Sequence, residues 1–595
     1  MDKETLKRIN LTIDNKPIQV EPGTTILKAA RKAGIRIPTL CYFELAGMKF
    51  ENKPGGCRVC VVEVEGRRNL APACATDCME GMVVHTHSAR VINARRTVVE
   101  LILSDHPADC LTCPKSGNCE LQALAQYLGI REIPFKGEQS TYRKDMSPSI
   151  IRDMDKCVMC RRCETMCNEI QSVGALSAIN RGFQAVVSPA FEQDMVDSPC
   201  TMCGQCVQVC PVGALSEVDD TRRVIAAINN PKKTVVVQTA PAVRVALGEE
   251  FGMPAGTIVT GQLAAALRRL GFDYVFDTDF AADLTIMEEG TELLGRISKY
   301  MAGDKSVRLP ILTSCCPGWV NFFEHNFPDM LDVPSTAKSP QQMFGAIAKS
   351  YWAEKMGINR EDLVVVSIMP CLAKKFECNR DEFKVNGNPD VDYVLSTREL
   401  ARLIKQYNLN LNDMPSENYD DPLGESTGAA VIFGTTGGVI EAATRTAYEV
   451  FTGKKLEKVE FTELRGLEGI RDAWVDFDGT PIHIGIAHGL KNARTLLERV
   501  RKGEEQFHAI EVMACPGGCI GGAGQPYHHG NVEIIKKRFE AIYREDEGKT
   551  IRKSHENESI KKLYAEYLGE PCGHKSHELL HTHYFDKSDH IEISE

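Results

Sequence analysis

The sequence contains no apolar stretch long enough to cross a membrane. A membrane-spanning helix needs about 18 to 20 apolar residues, and every apolar run in this chain of 595 residues is shorter. The opening MDKETLKRINLTI lacks the basic and then apolar order of a signal peptide, and the arginine pairs, of which Arg67-Arg68 is the first, are internal. We therefore predict no membrane span and a cytoplasmic location.

The chain also lacks an excess of basic residues. It has 70 Lys and Arg against 81 Asp and Glu, for a formal net charge of −11. A nucleic-acid-binding protein would show a basic face, so we expect no nucleic-acid partner. The hydrophobic and charged fractions, 43% and 25%, are ordinary for a globular protein, and the length predicts three to five domains.

Cysteine, in contrast, is abundant, with 23 residues in groups. Disulfides are rare in the cytoplasm, so grouped cysteines indicate bound metal. Four groups precede Pro211, after which apolar runs alternate with helical patterns. We place the main domain boundary near residue 220.

Residues 10–45 have the pattern of a β-grasp domain. LTI and IQV are predicted strands on either side of a turn at Asp14-Asn15. The stretch ILKAARKAG is a predicted helix, capped by Thr24 or Thr25 and stopped by Gly34.

A lone cysteine, a CxxC pair and a distant fourth cysteine follow this β-grasp start. That order is typical of a [2Fe–2S] ferredoxin, although the first gap is longer than in the plant type. Structural zinc is the alternative, and Cys78 remains as a spectator thiol. The predicted ligands are Cys41, Cys57, Cys60 and Cys74.

The next group has the form HxxxCxxCxxxxxC. One histidine with three cysteines is in isolation more typical of zinc, but a redox-inert ion between two redox modules would interrupt electron transfer. The position therefore favours a [4Fe–4S] cluster with one imidazole ligand. Nearby His85 and His87 are predicted strand residues in an alternating stretch. The predicted cluster ligands are His106, Cys110, Cys113 and Cys119.

Two CxxCxxCxxxC runs are the strongest signal. Three cysteines two residues apart let one loop wrap a cubane, while the fourth ligates the other cluster; zinc sites usually use paired cysteines. One predicted [4Fe–4S] cluster has the ligands Cys157, Cys160, Cys163 and Cys210. The other has Cys200, Cys203, Cys206 and Cys167.

The C-terminal cysteines lie in three separated stretches, TSCCPGWV (313–320), MPCLAKKFE (369–377) and EVMACPGGCIGGAGQP (511–526). Two of them follow apolar, strand-like runs. The surrounding sequence is α/β in pattern, with strands at VVVQTA, YVFDTD and LVVVSIMP and helices near 261–270 and 282–299. Loops from several strand ends can converge on one site in such a domain.

These three stretches resemble the signature motifs of [FeFe]-hydrogenases, in the same order, and the N-terminal cluster array matches as well. The resemblance implies an H-cluster, in which a [4Fe–4S] cubane shares a cysteine sulfur with a diiron unit that has CO, cyanide and azadithiolate ligands. By motif position, its cubane ligands are Cys316, Cys371, Cys515 and Cys519, and Cys519 supplies the shared sulfur.

The resemblance further implies that H2 is split heterolytically at an open iron and that the proton leaves through a free thiol, Cys315. A thiol with an ordinary pKa near 8.5 suits proton exchange. The family's proton path continues through Glu289, Ser335, Glu292 and Arg296. From spacing alone, Glu289, Glu292 and Arg296 share one helix face, for which a solvated charged face is the simpler interpretation.

Pocket residues also follow from the resemblance. Lys374 corresponds to a cyanide-binding donor, where an ordinary surface lysine is the alternative. Met369 and Met513 correspond to residues beside the diiron unit, where core packing is the alternative. Ala242 stands where some members have a serine donor, and Ala523 interrupts a glycine run. The other pocket residues are Ser339, Pro340 and Gln341.

Two remaining features have simpler interpretations. The stretch 432–443, IFGTTGGVIEAA, has the order strand, glycine turn and helix of a phosphate site, but it lacks GxGxxG and resembles family scaffold. The histidine-rich tail resembles the family's belt around the catalytic domain, so we expect structural packing rather than a metal site from His574, His577, His581 and His583. Cys378 and Cys572 have no assigned partner.

The predicted fold class is multidomain, mixed α+β and α/β. It comprises a β-grasp [2Fe–2S] domain, a His-ligated [4Fe–4S] domain, a two-[4Fe–4S] ferredoxin-like domain, an α/β catalytic H-cluster domain and a C-terminal wrapping segment. Their predicted bounds are 8–88, 89–136, 137–220, 221–535 and 536–595. The cofactors expected are one [2Fe–2S], three [4Fe–4S] and the H-cluster.

The layout resembles the large subunit of NAD(P)-linked and electron-bifurcating hydrogenases. It implies as partners ferredoxin, a flavin- and NAD-binding iron–sulfur subunit, a thioredoxin-like [2Fe–2S] subunit and maturation proteins. A monomeric ferredoxin-dependent hydrogenase is the alternative. A non-catalytic electron-transfer subunit should lack the three C-terminal motifs, an assembly relative should lose the free thiol or the pocket residues, and an H2 sensor should add a signalling domain.

Overall fold

The structure is a computed structural model. It describes residues 8–45, 50–52, 55–304, 306–456 and 458–588. Every predicted site residue falls within these ranges, whereas residues 589–595 of the predicted C-terminal segment lie outside them. Within this part of the chain, no helix is both long and apolar enough to cross a membrane.

The N-terminal domain is a five-stranded sheet with one helix against it, in the strand order β2-β1-β7-β5-β6. Asp14 and Asn15 both have positive φ, as a two-residue hairpin turn requires. Thr25 caps the helix through the Lys28 amide, which resolves the choice of cap. The elements are β1 Ile9–Ile13, β2 Lys16–Val20, α1 Ile26–Lys32, β3 Phe43–Leu45, β4 Phe50–Asn52, β5 Val61–Val64, β6 Ala71–Pro72 and β7 Met82–His85.

Two small cluster-binding domains follow. The first has two helices, and the second combines short strands with two short helices that begin within the cysteine runs. The elements are α2 Ala89–Ser104, α3 Glu120–Tyr127, β8 Asp145–Met146, β9 Ile150–Arg152, α4 Arg162–Thr165, β10 Ser177–Ile179, β11 Val186–Ser188, α5 Gln205–Val209 and β12 Leu215–Glu217.

One buried arginine connects these domains. Arg162 donates two hydrogen bonds to Glu120, of 2.7 and 2.8 Å, and one of 3.1 Å to the carbonyl of Tyr42. It also reaches the carbonyl of Val209 at 3.4 Å. Each of these four residues is adjacent in sequence to a predicted cluster ligand, so the arginine fixes three ligand loops relative to one another.

The catalytic domain contains two four-stranded sheets surrounded by helices. Its elements are α6 Thr221–Ile228, β13 Thr234–Thr239, α7 Thr260–Leu270, β14 Tyr274–Asp277, α8 Thr278–Met301, β15 Ile311–Leu312, α9 Pro317–Asn326, α10 Pro340–Ile347, α11 Ala353–Met356, β16 Leu363–Met369, α12 Ala373–Glu377, β17 Lys384–Val385, β18 Asn388–Pro389, β19 Tyr393–Ser396, α13 Thr397–Gln406, α14 Gly428–Val431, α15 Gly438–Thr452, β20 Ile470–Phe477, β21 Thr480–His488, α16 Leu490–Arg501 and β22 Ala509–Met513.

The topology of the two sheets explains where the three motifs meet. One sheet has the order β14-β13-β16-β19 and is parallel throughout. In the other, β15-β22-β21-β20, only the β20–β21 pair is antiparallel. The motifs follow β15, β16 and β22, so their cysteines lie just beyond the carboxyl ends of parallel strands.

The C-terminal segment comprises α17 Val532–Glu547, α18 Glu558–Leu563 and α19 His574–Leu580. It returns to the catalytic domain, where His581 forms a β-bridge with Ala337. The predicted boundary between residues 535 and 536 falls inside α17, because that helix begins at Val532.

Two local predictions were wrong. AAVIFG is helical, with α14 followed by a single tight helical turn at Ile432–Gly434, instead of a strand; a short run that is buried on all sides has no periodicity to separate strand from helix. His87 lies beyond the end of β7, although His85 is in the strand. The helix predicted near 282–299 extends from Thr278 because Asp277 caps it directly after β14.

Candidate active site and metal centres

All 23 cysteines are free thiols, and their neighbours divide the two long runs as the spacing predicts. Burial and the charges of Cys160, Cys210 and Cys157 raise the pKa of Cys163 well above its usual value. Burial and the charge of Cys203 raise the pKa of Cys167 to about 11. The charge of Cys210 on Cys163 and that of Cys203 on Cys167 favour the predicted crossed arrangement, in which the fourth cysteine of each run joins the first three of the other.

The four cysteines of the N-terminal domain form two close pairs. The Sγ atoms of Cys60 and Cys74 are 3.4 Å apart. A hydrogen bond from Cys41 lowers the pKa of Cys57 to about 6. A [2Fe–2S] cluster has two irons, each with two thiolates, so these two pairs of thiols fit its donor set.

The histidine-containing set is too open for a single zinc ion. Zinc bonds of about 2.0 to 2.3 Å place tetrahedral ligands within about 4 Å of one another. Among the described residues, His106, Cys110, Cys113 and Cys119 do not form a group whose donor atoms lie within 4.8 Å of one another. His106 is largely buried with its Nδ1 unpaired, and burial lowers its pKa, so its ring is a neutral donor. The geometry favours a larger cluster over zinc.

Four cysteines from the three C-terminal motifs converge. Burial and the charges of Cys371, Cys316 and Cys203 raise the pKa of Cys515 well above its usual value, and Cys519 contributes in the same direction. The Cys316 Sγ accepts a hydrogen bond of 3.4 Å from the Ala514 amide. Because the charge of Cys203 also acts on Cys515, this set lies beside the predicted cubane site to which Cys203 belongs.

The surroundings contain buried polar groups that a ligand would satisfy. Lys374 Nζ donates to the Cys315 carbonyl at 3.1 Å and to Glu377 at 3.0 Å. Gln341 Nε2 donates to the same carboxylate at 3.0 Å. The Gln341 Oε1 and Ser339 Oγ are buried and have no partner among the described residues. An unpaired buried polar atom costs free energy. The Ser339 hydroxyl can donate, as can the Lys374 ammonium, so these two groups fit a cofactor with polar diatomic ligands. Lys374 is only 8% exposed and is not a surface lysine.

The remaining predicted pocket residues are buried but supply no further side-chain donor. Met369 and Met513 are 3% and 2% exposed. Pro340 begins α10, directly after Ser339. Ala242 offers only its carbonyl, which accepts a hydrogen bond of 2.8 Å from Gln525.

The predicted proton-path residues lie close to one another, and several of them are hydrogen-bonded. Glu289 Oε1 accepts a 3.3 Å hydrogen bond from the Ser314 amide, next to Cys315. The Ser335 hydroxyl donates to Glu292 Oε2 at 2.8 Å, and Glu292 Oε1 is 2.6 Å from Arg296. Ser335 also lies close enough to Glu289 to affect its pKa.

Glu289 and Ser335 are more buried than the two residues at the outer end of the path. Glu289 is 5% exposed, while the side chains of Glu292 and Arg296 are 14% and 17% exposed. The interpretation of these residues as a solvated helix face is therefore wrong. Burial, followed by the charge of Glu292, raises the pKa of Glu289 to about 8.

The pKa of the Cys315 thiol is not ordinary, contrary to our expectation. Burial, followed by the charge of Glu289, raises its pKa well above the usual value. The thiol therefore keeps its proton at neutral pH until a base accepts it.

Sequence reasoning missed Glu377 and Glu511. Glu511 is fully buried, and burial raises its pKa to about 7. It accepts hydrogen bonds from the Gly437 and Ile440 amides, of 2.6 and 2.9 Å, at the start of α15. The helix start that suggested phosphate binding is thus bound by the protein's own carboxylate. A charged residue inside the apolar run AIEVM was the available signal.

Of the unassigned thiols and histidines, Cys78, Cys378 and His581 are buried, whereas His574, His577 and His583 are exposed. Cys78 and Cys378 are buried in hydrophobic clusters. His581, Cys572 and Glu288 have donor atoms within 4.8 Å of one another, but these atoms hydrogen-bond among themselves: His581 Nε2 is 2.9 Å from Glu288 Oε2, and the Cys572 thiol donates to the Glu288 carbonyl at 3.4 Å. His574, His577 and His583 are not in this group.

Comparison with known proteins gives consistent matches along the chain. Residues 233–523 match the family described as iron only hydrogenase large subunit, C-terminal domain, and 532–587 match iron hydrogenase small subunit. Residues 6–89 match a 2Fe-2S iron-sulfur cluster binding domain. Residues 95–134 match the NADH-ubiquinone oxidoreductase-G iron-sulfur binding region, and 147–216 match the ferredoxin-like domain of NADH-quinone oxidoreductase subunit 3.

Relatives match over nearly the whole length. The NADP-reducing hydrogenase subunit HndD of Solidesulfovibrio fructosivorans is 65% identical over 98% of this chain and 100% of its own. Iron hydrogenase 1 of Clostridium pasteurianum is 38% identical over 96% of this chain and 99% of its own. A solved structure of an [FeFe]-hydrogenase variant from Chlamydomonas reinhardtii aligns with a TM-score of 0.55 at 44% identity, over 62% of this chain and 99% of that chain.

Proposed function

The chain belongs to the [FeFe]-hydrogenase family and is an oxidoreductase that acts on H2, and from this premise we propose how its residues perform the reaction. Cys316, Cys371, Cys515 and Cys519 would hold the cubane of an H-cluster, and Cys519 would also bind the diiron unit. The observation that supports this most is the convergence of four thiols from three loops, with a fifth thiol, Cys315, beside them.

The bound diiron unit would supply the metal at which H2 is split or formed. Around it, Lys374 and Ser339 would orient the ligands of the cofactor through their donor groups, and Gln341 would hold Glu377 in place beside Lys374. The Lys374 ammonium is held in place by Glu377, whose charge, together with that of Cys371, raises the lysine pKa despite burial. Met369 and Met513 would exclude water from the pocket.

Protons would move between Cys315 and solvent. Cys315 exchanges a proton with Glu289, and the Ser335 hydroxyl passes it to Glu292. Arg296 fixes the outer carboxylate at 2.6 Å. A carboxyl with a pKa of about 8 can both accept and release protons near neutral pH, so the direction of transfer follows the reaction.

The ligand loops are arranged for electron transfer out of the catalytic domain. A methyl group added at Gly318 would lie 3.4 Å from the Cβ of Cys203, so the first motif abuts the loop of the second cysteine run. Gln205 and Gln171 donate to the carbonyls of Gly521 and Ala514 across the same boundary, at 3.1 and 3.0 Å. We propose three [4Fe–4S] clusters and one [2Fe–2S] cluster as the electron path.

The electron acceptor is the finer part of the proposal. A relative of similar length is described as a subunit of an NADP-reducing hydrogenase, and this chain lacks a nucleotide fingerprint. We propose a complex with a flavin- and NAD(P)-binding subunit and a thioredoxin-like [2Fe–2S] subunit, with ferredoxin as a further partner. Ferredoxin alone, for a monomeric enzyme, is the second candidate.

The acceptors can be separated by H2 uptake assays on the matured protein, purified with any subunits that accompany it. The assay compares ferredoxin alone, NADP or NAD alone, and both together. Uptake that requires both acceptors supports an electron-bifurcating complex. Full uptake with ferredoxin alone would instead identify the monomeric type.

A further inference from the structure

We propose that residues 580–584 of the C-terminal segment position the proton path, with Tyr584 and His581 holding Ser335 between Glu289 and Glu292. This inference rests on the proposed function, because it assigns a role to the segment through that path. Neither residue touches the reacting atoms, so both are positioning residues.

The first observation is the backbone pairing of the two segments. The Lys338 amide donates to the Leu580 carbonyl at 2.7 Å, and the Thr582 amide donates to the Thr336 carbonyl at 2.7 Å. The C-terminal segment is thus paired with the loop that contains Ser335 and leads into the pocket residue Ser339.

The second observation concerns the loop of residues 333–337. Each of its five backbone carbonyls accepts a hydrogen bond. Arg296 binds the carbonyls of Val333 and Pro334. The Ser314 hydroxyl binds the Ala337 carbonyl at 2.6 Å. The two remaining carbonyls, in the centre of the loop, are bound by the C-terminal segment, through the Tyr584 hydroxyl at Ser335 and the Thr582 amide at Thr336.

The Tyr584 hydroxyl lies beside the residues of the proposed proton path. It hydrogen-bonds the Ser335 carbonyl and also interacts with Ser314, which precedes Cys315. Burial and the charges of Glu292 and Glu289 raise its pKa, so it remains a donor. Tyr584 therefore fixes the backbone of Ser335, whose side chain must lie between Glu289 and Glu292.

His581 anchors the same loop to α8. Its Nδ1 is 2.8 Å from the Thr336 hydroxyl and its Nε2 is 2.9 Å from Glu288. The Thr336 amide in turn donates to Glu292 Oε2 at 3.1 Å. Since Glu288 precedes Glu289 in the helix, this contact connects the loop to the inner carboxylate as well.

Position matters because Ser335 is fully buried and its hydroxyl already binds Glu292 at 2.8 Å. A displacement of about 1 Å between reacting groups can lower a rate by roughly 100-fold. Loss of the Tyr584 hydroxyl frees the Ser335 carbonyl and allows such a displacement.

The test compares Tyr584→Phe, which keeps the ring, and His581→Gln with the control His583→Ala, an exposed neighbour in the same segment. Matured protein is measured for H2 evolution and uptake, for iron content, and for the infrared band of the protonated Glu289 carboxyl. That band is assigned by its loss in Glu289→Gln. We expect Tyr584→Phe to lower both rates roughly 10- to 100-fold and to shift the band, with iron content and the control unchanged.

The double variant Tyr584→Phe/Glu289→Gln distinguishes the positioning role of Tyr584 from the proton path itself. If Tyr584 acts through the path, the double variant is no slower than Glu289→Gln alone. Wild-type rates and an unshifted band in both Tyr584→Phe and His581→Gln, with Glu289→Gln inactive, would overturn this inference and leave the path intact. Wild-type activity in Glu289→Gln would overturn the path and this inference with it.

Discussion

At the scale of single residues, the neighbouring cysteines Cys315 and Cys316 have different surroundings. Cys316 accepts a hydrogen bond from the Ala514 amide, and its charge raises the pKa of Cys371, Cys515 and Cys519. For Cys315, the charge of Glu289 is the largest influence on the pKa after burial. We propose that one of these cysteines is a cluster ligand and that its neighbour is a proton carrier.

Replacement of Cys315 should separate these roles. In Cys315→Ala, we expect iron content and the infrared bands of bound CO and cyanide to be retained, while H2 turnover falls by about 10²- to 10⁴-fold, the usual contribution of a positioned proton donor. The control is Cys378→Ala, which removes a buried thiol from the hydrophobic core. Near-normal H2 evolution in Cys315→Ala would remove this thiol from the path.

Glu289 predicts a pH dependence of stability. Its folded pKa of about 8 lies above the usual carboxyl value of 4.5, so its contribution to stability is full below pH 4.5 and is lost as the pH rises through 8. The loss at alkaline pH is on the order of a few kcal/mol. We expect the unfolding midpoint of the wild type to fall more between pH 6 and pH 9 than that of Glu289→Gln, as measured by calorimetry. Equal falls would contradict a buried neutral carboxyl.

The sequence predicted the metal ligands better than the residues that support them. Thiolate spacing is dictated by cluster geometry, so the ligand sets could be predicted from the cysteine runs alone. Glu511, Glu377 and Tyr584 have no such signature, because their roles depend on contacts between segments that are distant in sequence.

At the scale of elements, parallel strands bring the three motifs together. Two of the three motifs follow runs that could be read as apolar strands, but the distribution of β15, β16 and β22 over two sheets could not be read from the sequence. The helical form of residues 428–434 was also not predictable, since a buried run with small residues fits either state.

Arg162 connects the loops of three predicted clusters, and its loss should weaken that connection. Arg162→Met removes the bidentate partner of Glu120, which is partly exposed, and the donor to the carbonyl of Tyr42. Leaving a buried acceptor without its donor costs about 1–3 kcal/mol. We expect a lower midpoint in anaerobic denaturation and slower reduction of the [2Fe–2S] cluster by H2, followed by electron paramagnetic resonance.

Arg161→Met is the matched control. Arg161 is half exposed and pairs only with Glu164, three residues away, so its loss should change stability by less than about 1 kcal/mol. Equal effects of the two substitutions would exclude a special role for Arg162.

At the scale of the whole molecule, clusters and catalytic domain form one connected unit. Hydrogen bonds join the second cysteine run to the third motif, and Arg398 joins Glu217 to the Gln525 carbonyl across the same boundary. The domain order was predictable from the cysteine groups, whereas the pairing of the C-terminal segment with the proton-path loop was not, because it depends on backbone contacts about 245 residues apart.

The most direct test of the central claim is the infrared spectrum of matured protein, recorded for the wild type and for Cys519→Ser. Convergence of the four thiols on one iron assembly predicts bands from iron-bound CO and cyanide in the wild type and their loss in Cys519→Ser, with the N-terminal clusters still visible by electron paramagnetic resonance. A fully matured wild-type sample without these bands would contradict the account.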